Sequence, residues 1–335
     1  MDTPPKVSVL LCVYNGAAHL RQALDSIFAQ TLRDFELIAV DDGSTDTTPE
    51  ILRGCADPRL VVLTQPNLGL THSLNRALGL ARGEYIARQD ADDISEPARL
   101  EKQAAFLDAH SDIALVGAGT RVVDEAGRAL REYRYPADDA GLRAALLSRF
   151  NPLPHSSVTF RREVAISLGG WDERFMKSQD YEFYLRLIEG HRIASLPEPL
   201  ITLRYTPGSL FSSGDEKGEQ LQYALLAHAL AAVRRRRPDL VPPRGQSLPV
   251  EKFRAWYRAS RYPAHFAAGQ HRRQAQIEVS RGATLNAVRA LGRAFALDPW
   301  HPLRRLLRTP DPAMVELARE LEGWLSTDVP PARSD

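Results

Sequence analysis

The feature that most constrains the fold is an alternation of short β-rich runs with helical patterns between Lys6 and about Thr206. Val7–Val13 is a short apolar run rich in β-branched residues, which is typical of a buried strand. Further strands are predicted over residues 35–40, 60–63 and 84–87, with helical patterns between them. This order predicts an α/β fold with a mostly parallel sheet and helices on both faces.

Acidic residues cluster where the predicted strands end. Asp41 and Asp42 follow the second strand, and Asp90, Asp92 and Asp93 follow the fourth. In open parallel sheets, ligands bind at the carboxyl ends of the strands. This placement favours a ligand site over a chance distribution of surface charge.

The first acidic segment, Asp41 to Asp46, has two interpretations. Its glycine, serine and last aspartate are typical of a turn that caps the next helix, with Asp46 or Thr47 as the cap. That interpretation leaves two adjacent aspartates at the buried end of a strand unexplained. A carboxylate at such a position can accept a hydrogen bond from an N–H of a nucleobase. Both interpretations stay open for this segment taken alone.

The second acidic segment is Asp90-Ala91-Asp92-Asp93. Three crowded carboxylates repel one another unless a cation neutralises them. Oxygen ligands without a nearby His or Cys suit Mg²⁺ or Mn²⁺. The alternative is an acidic loop that caps a helix beginning near Ser95-Glu96-Pro97.

Asp180 is predicted to lie in the first turn of a helix, because Phe183 and Leu187 recur at the spacing of an inward-facing stripe. An acid at this position can serve as a cap that the helix dipole favours. It can also take a proton from a hydroxyl in a cleft. The spacing does not choose between these two roles.

Together these segments resemble the family 2 glycosyltransferases, a large inverting family with the GT-A fold. The resemblance covers roughly residues 6 to 213. Its specificity comes from the order and separation of short segments: Val7-Ser8-Val9, Tyr14-Asn15-Gly16, Val40-Asp41-Asp42-Gly43-Ser44-Thr45-Asp46, Asn67-Leu68-Gly69, residues 81–93, Gly169-Gly170-Trp171-Asp172-Glu173 and Gln179-Asp180.

The resemblance implies a role for each matching residue. Asp180 would be the catalytic base, and Mn²⁺ or Mg²⁺ would bind to Asp92 and Asp90. Trp171 and His155 would face the acceptor, although His155 can equally be a buried structural histidine. A nucleotide-sugar donor, expected to carry uridine diphosphate, would be contacted by Cys12, Tyr14, Asn15, Asp42, Asp90 and Arg204.

The acceptor implied by the resemblance is a hydroxyl of a glycan or of a lipid-linked molecule, as in cell-envelope polysaccharide biosynthesis. The loop after Arg204, which contains Ser209, Ser212 and Ser213, would close over the diphosphate or simply join two domains. The donor sugar, the acceptor and the oligomeric state leave no signature in the sequence.

The sequence departs from the family pattern at two positions. Cys12 stands where many members have Thr or Ser, and Gln179 stands where many have Glu. The second change removes a charge beside Asp180 but keeps the expected base, so we expect activity to survive.

The predicted organisation is a GT-A domain over residues 1–215, an α-helical region over 216–327 and a disordered tail over 328–335. The helical region begins with a pattern from Glu216 to Arg237, followed by a Pro-rich linker over 238–249. Residues 286–299 look like one helix of a helical-repeat hairpin.

Composition excludes several classes of protein. The formal net charge of the 335 residues is only +1, so no global field recruits nucleic acid. Neither a GxxxxGK[ST] loop nor a complete dinucleotide fingerprint occurs. The two cysteines lack metal-binding spacing. The sequence shows neither a secretory signal nor an apolar run near 18 residues, which predicts a cytoplasmic location.

A different hypothesis concerns the basic segments of the helical region. Arg234–Arg237, Arg272-Arg273 and Arg304-Arg305 would contact anionic lipid headgroups or nucleic acid, either in a non-catalytic binding protein or in an enzyme held at the inner face of the membrane. The alternative is that these residues form ordinary solvated helix faces.

Overall fold

The computed structural model describes residues 3–148, 151–204, 219–260, 289, 293 and 312–327. The chain divides into two compact units, Met1–Thr206 and Pro207–Asp335. The predicted closing loop (205–213), the end of the first domain at 215, the arginine pairs at 272 and 304, and the tail from 328 lie outside the described residues. Of the predicted repeat helix, only Arg289 and Arg293 are described, both as helical.

The described part of the first unit contains nine strands and seven helices. The strands are β1 (Val7–Val13), β2 (Phe35–Asp41), β3 (Leu60–Thr64), β4 (Tyr85–Asp90), β5 (Ile94–Ser95), β6 (Ile113–Val123), β7 (Ala129–Tyr133), β8 (Thr159–Arg161) and β9 (Arg192–Arg204). The helices are α1 (Ala17–Phe28), α2 (Thr48–Arg53), α3 (Leu70–Leu80), α4 (Arg99–Ala109), α5 (Asp139–Leu147), α6 (Arg162–Ser167) and α7 (Gln179–Gly190).

The strands form one sheet in the order β3-β2-β1-β4-β8-β6-β9-β5, with β7 paired to β6. Strands β1 to β4 pair in parallel, and β6 pairs in parallel with β9. Strand β8 joins the two parallel groups by running antiparallel to both β4 and β6. The predicted α/β sheet of GT-A type is confirmed, and the short antiparallel strands β5, β7 and β8 are additions to it.

Helices cover both faces of the parallel strands. Alternate side chains of β1, beginning with Val7, pack with α1, α2 and α4 in one buried cluster. Helix α3 contacts β1 and β2 but contributes no residue to that cluster, so it covers the opposite face. There the Ser8 hydroxyl donates a 2.6 Å hydrogen bond to Glu36, which also binds the Arg82 guanidinium. This arrangement confirms the prediction of helices on both faces.

The register of the parallel strands brings their acidic ends together. Val13 lies opposite Asp41 in the β1–β2 pair, and Cys12 lies opposite Asp90 in the β1–β4 pair. The loops that follow β1, β2 and β4 therefore leave the sheet at one edge, where the sequence predicts a ligand site.

The second unit is helical where it is described. It contains α8 (Glu219–Arg236), α9 (Val250–Ala259) and α10 (Pro312–Thr327), and a 3₁₀ turn (Pro238–Leu240) lies in the Pro-rich segment. Arg236 pairs with Glu322 of α10, and Arg237 pairs with Asp239. Part of the basic run is thus engaged in ion pairs within this unit. Among the described helices, none is both long enough and apolar enough to cross a membrane.

Candidate active site

The loops after β1 and β2 are joined by polar side chains. The Asn15 backbone N–H donates to Ser44 Oγ (2.9 Å), and Asn15 Oδ1 accepts the Thr45 N–H (2.8 Å). Asp46 accepts the Ala17 N–H (3.1 Å) in the first turn of α1. Asp46 also accepts the Thr48 N–H (3.0 Å) at the start of α2, whose N-cap is Thr47 without a side-chain bond, so Asp46 serves the first turns of both α2 and α1. Asn15, with φ +51°, acts here as a loop connector, and its contact with a nucleotide stays a prediction.

Asp42 lies at the centre of the next loop and is only 4% exposed. Its Oδ1 accepts hydrogen bonds from Gln65 Nε2 (2.7 Å) and the Leu68 N–H (2.9 Å), and its Oδ2 accepts the Gly69 N–H (2.8 Å). A carboxylate has about four acceptor positions, so one on Oδ2 remains for another donor. Asp42 therefore orders the start of α3 and can still accept one N–H from a ligand.

Two side chains of the β1 edge differ sharply in exposure. Tyr14 is 52% exposed, which leaves its ring available to lie against a planar ligand. Cys12 is buried, and burial raises the pKa of its thiol to about 12, so the thiol is neutral near pH 7. Asp41 is buried and accepts the Ser44 N–H (3.0 Å), which shapes the turn.

Asp90 and Asp93 share one hydroxyl, that of Ser156. Ser156 Oγ lies 2.7 Å from Asp90 Oδ2 and 2.5 Å from Asp93 Oδ2. Burial, followed by the charges of Asp90 and Asp92, raises the pKa of Asp93 well above its ordinary value. Because a hydroxyl carries one proton, Ser156 donates to one carboxyl, and a protonated Asp93 can supply the proton of the other contact.

Asp90 is held in its ionised form. Burial acts to raise the pKa of Asp90, but the charge of Arg88 and the hydrogen bonds from Ser156 and Arg88 together lower it. Arg88 is fully buried, contacts the Asp90 carboxylate and donates to the Leu10 carbonyl (2.8 Å). The guanidinium thus fixes an anionic carboxylate at the end of β4.

Asp92 differs from its neighbours because its carboxylate accepts no hydrogen bond from another residue in the described part of the chain. Burial and the Asp90 charge raise its pKa, while the charge of Arg204 acts to lower it. Arg204 donates to Gln22 Oε1 (2.7 Å), and its Nε is buried without a partner among the described residues. The structure therefore brings Arg204, Asp92 and Asp90 together.

The described residues contain no group of three or more His, Cys, Asp or Glu side chains arranged to hold a metal ion. The carboxylates of Asp90 and Asp92 still fit a hard divalent cation, because the Asp90 charge raises the pKa of Asp92 and a cation would offset that repulsion. A cation at Asp92 would take its further ligands from water or phosphate oxygens, as Mg²⁺ and Mn²⁺ sites commonly do.

The Asp90–Asp93 loop is supported by a buried hydrogen-bond network that the sequence does not predict. Gln89 donates to the Asp93 carbonyl (2.8 Å) and accepts from Arg99 Nη1 (3.0 Å). Arg99 also donates to the Arg88 carbonyl (2.7 Å) and to Ser95 Oγ (2.9 Å). Burial lowers the pKa of Arg99 to about 9. In the sequence, Arg99 is marked only by its place shortly after the predicted helix start at Ser95-Glu96-Pro97.

Asp180 lies in the first turn of α7, as predicted. Burial raises the pKa of Asp180 to about 6, and the Asp90 charge acts in the same direction. Asn151 Nδ2 donates to Asp180 Oδ2 (2.9 Å). Ser178, just before the helix, has φ +54°, a left-handed conformation that is uncommon outside glycine and asparagine. The pKa places Asp180 where a carboxylate can act as a base near neutral pH.

His155 and Trp171 lie in an aromatic cluster with Phe160 and Phe183. Trp171 is 1% exposed, and the centroids of its ring and the His155 ring are 6.0 Å apart. Burial and the Arg88 charge lower the pKa of His155 to about 3, so its ring is neutral. His155 Nε2 and Trp171 Nε1 are buried without partners among the described residues. Contact of either side chain with an acceptor stays a prediction.

Helix α3 holds the loop that leads to Asp180. Asn75 accepts the Trp171 N–H (2.8 Å) and donates to the Trp171 carbonyl (2.9 Å). Thr71 donates to the Phe175 carbonyl (2.8 Å). Gly170 has φ +71°, and a Cβ there would lie 2.4 Å from Asn75 Oδ1. The loop therefore requires both the glycine and the asparagine.

Comparison with known proteins gives the family. Residues 8–179, just over half of the chain, match the family model described as Glycosyl transferase family 2. The amylovoran biosynthesis glycosyltransferase AmsE of Erwinia amylovora is 34% identical over 206 residues, which cover 59% of this chain and 75% of that protein.

Solved structures give the same fold. Staphylococcus aureus TarS 1–349 in complex with UDP-GlcNAc has a TM-score of 0.60 at 20% identity, covering 96% of this chain and 92% of that chain. The mannosyltransferase PcManGT of Pyrobaculum calidifontis, in complex with GDP-Man and Mn²⁺, has a TM-score of 0.53 at 22% identity, covering 97% of this chain and 86% of that chain. With the family match and the strand-end acids in the predicted order, the chain belongs to glycosyltransferase family 2.

Proposed function

We propose that this glycosyltransferase moves a sugar from a nucleotide-diphosphate donor to a hydroxyl of a glycan or lipid-linked acceptor, with inversion at the anomeric carbon. The observation that carries the proposal is the carboxyl of Asp180, whose pKa burial and Asp90 raise to about 6. An acid with this pKa is ionised at neutral pH and is basic enough to accept a proton. The charge of Asp90 acts on this carboxyl, which supports a position of Asp180 near the acid at the end of β4.

The proposed donor is a UDP-sugar. The remaining acceptor position on Asp42 Oδ2 would take an N–H of the base, and the exposed ring of Tyr14 would lie against it. TarS binds UDP-GlcNAc and PcManGT binds GDP-Man within the same fold. Uridine and guanosine nucleotides therefore both belong in the test.

Asp92 and Asp90 would hold Mn²⁺ or Mg²⁺, which supplies positive charge for the diphosphate as it leaves. The Asp92 carboxylate is suited to this role because it accepts no hydrogen bond from another described residue. Arg88 and Ser156 keep Asp90 ionised and oriented. Arg204, beside Asp92, would add a second positive charge near the phosphates.

In the proposed reaction, Asp180 takes the proton of the acceptor hydroxyl as that oxygen attacks the anomeric carbon. The bond to the diphosphate breaks on the opposite face, and the nucleotide leaves with the electron pair. A single displacement inverts the configuration. The neutral ring of His155 would face this site without competing for the proton, because its pKa is lowered to about 3.

The test begins with calorimetric titration of UDP in the presence of Mn²⁺ or of a chelator. We expect metal-dependent binding to the wild type and its loss in Asp92→Ala. UDP-sugars are then screened for transfer, with Asp180→Asn as the inactive variant and the anomeric configuration of the product read by NMR.

The same titration with GDP and dTDP distinguishes a different donor from a wrong proposal. If GDP or dTDP binds instead of UDP, the proposed donor is revised to a sugar of that nucleotide and the proposed mechanism stands. Failure of all three nucleotides to bind would overturn the proposed function.

A further inference from the structure

The hydrogen bond between Asn151 and Asp180 has an orientation that its surroundings determine. The nitrogen and oxygen of a carboxamide are otherwise hard to distinguish. The Leu153 backbone N–H, which can only donate, lies 3.1 Å from Asn151 Oδ1. That contact commits the oxygen, so the NH₂ group faces Asp180 Oδ2 at 2.9 Å.

This orientation gives the two Asp180 oxygens different roles. Oδ2 accepts from Asn151, and it accepts more strongly when it carries no proton. Protonation at Oδ1 keeps this stronger hydrogen bond, so Oδ1 is the favoured site for a proton taken by the carboxylate. A hydrogen bond to the charged form also favours ionisation.

We propose that Asn151 is a positioning residue for the transfer reaction, which keeps Asp180 ionised and leaves Oδ1 as the oxygen that takes the acceptor proton. The inference rests on the proposed role of Asp180 as base. The proton passes from the acceptor hydroxyl to Asp180 Oδ1 as the acceptor oxygen bonds to the anomeric carbon and the nucleotide diphosphate leaves with its electron pair.

Asn151 supplies the side-chain hydrogen bond that favours ionisation of Asp180. Among the described residues, burial and the charge of Asp90 act against ionisation, while the backbone N–H groups of Tyr181 and Asp180 and the Asn151 amide favour it. Tyr184, one turn later on α7, has a buried hydroxyl without a partner in the described part of the chain. Without Asn151, the backbone N–H groups of Tyr181 and Asp180 would still favour ionisation, but no side chain among these groups would add to them.

The test measures the pKa of Asp180 directly, without any ligand. The protein is labelled with ¹³C-aspartate, the Asp180 carboxyl resonance is assigned by its loss in Asp180→Asn, and its shift is followed from pH 4 to 9. We expect Asn151→Ala to raise this pKa by at least about one unit, because the ionised carboxyl loses a charge-assisted hydrogen bond.

Asn151→Asp provides a second variant that keeps an oxygen for the Leu153 N–H. It places a carboxylate against Asp180, and the two groups would share a proton. We expect a larger rise in the apparent pKa than in Asn151→Ala, and the acid limb of UDP-sugar turnover should move upward in both variants. UDP affinity should not change, because Asn151 bonds only to Asp180 and Leu153 among the described residues.

Asn75→Ala is the matched control. It makes the same chemical change at a position that holds the Trp171 loop and does not contact Asp180. We expect a lower melting temperature and lower turnover with the Asp180 pKa unmoved. If Asn151→Ala behaves in this same way, with the pKa within about 0.3 unit of the wild type, Asn151 is only structural and the inference is overturned.

The failure of the inference is distinguishable from the failure of the proposed function. Transfer activity in Asp180→Asn would remove the base role, and the inference with it. An inactive Asp180→Asn together with an unmoved pKa in Asn151→Ala and Asn151→Asp would overturn the inference alone.

Discussion

At the scale of single residues, burial of an ionised carboxyl in the site lowers the free energy of unfolding. Asp180 has a folded-state pKa of about 6 against an ordinary value of 3.8. Between these values the folded chain binds more protons than the unfolded chain, so the stability of the fold falls as pH rises through this window. Above pH 6 the full cost, about 3 kcal/mol for two pKa units, applies. The same burial that gives the carboxylate its basicity therefore destabilises the protein.

We expect Asp180→Asn to increase the free energy of unfolding by about 1–3 kcal/mol at pH 7.5 while lowering transfer at least about 100-fold. The gain should shrink as pH falls and vanish below about pH 3, where the carboxyl is protonated in the folded and the unfolded state alike. Urea denaturation at pH 7.5, 6 and 4.5 measures the gain. A loss of stability at pH 7.5 would contradict the raised pKa.

At the scale of elements, α3 connects the donor side of the site to the loop that precedes Asp180. Its first turn begins at Gly69, whose N–H binds Asp42. Thr71, in the same first turn, and Asn75, about one turn after it, bind the backbone of the loop before α7. The helix therefore fixes the spacing between the proposed nucleotide site and the proposed base.

Gly170→Ala tests this connection. The glycine has φ +71°, and its new Cβ would lie 2.4 Å from Asn75 Oδ1. We expect a loss of about 2 kcal/mol or more in the free energy of unfolding and reduced turnover, with UDP affinity little changed. Gly79→Ala in α3 is the control, because its Cβ would meet nothing within 4 Å and should stabilise the helix by about 0.4–1 kcal/mol. Equal effects of the two variants would contradict the steric argument.

The elements that sequence predicts well are those with a strong local pattern. Strands β1 to β4 and the helices between them follow from apolar runs and stripes, and their order alone implies the parallel sheet. Strands β5 and β8 have two and three residues, too few for any periodicity. Their pairing depends on contacts that are distant in the sequence, which local patterns do not encode.

The same distinction applies to the site. The acids at the strand ends were predictable because each follows a strand directly. Asn151 and Ser156 lie in a Pro-containing stretch without periodicity, and their roles arise only when that stretch meets Asp180 and Asp90. Arg99 looks like a solvated helix residue until its burial is known.

At the scale of the whole molecule, the residues proposed to bind the donor all belong to the first compact unit. A ligand at about 100 times its Kd stabilises the folded unit that binds it by about 2.7 kcal/mol. Amides that exchange only from the ligand-free state should then exchange about 100-fold more slowly. We expect UDP with Mn²⁺ to protect peptides covering residues 12–16, 65–69 and 88–95. Peptides from α8 and α9 should exchange at unchanged rates.

Hydrogen exchange followed by mass spectrometry measures both sets of peptides in one experiment. Asp92→Ala with UDP and Mn²⁺ is the control, and it should show no protection in the strand-end loops. Protection of α8 or α9 instead would place the nucleotide in the helical unit, where a shallow recess is lined by Tyr223, Phe253 and Arg254. Such a result would contradict donor binding by the strand-end acids. A bound ligand slows hydrogen exchange at the amides whose local opening requires the ligand to dissociate, so the protected peptides mark the binding site.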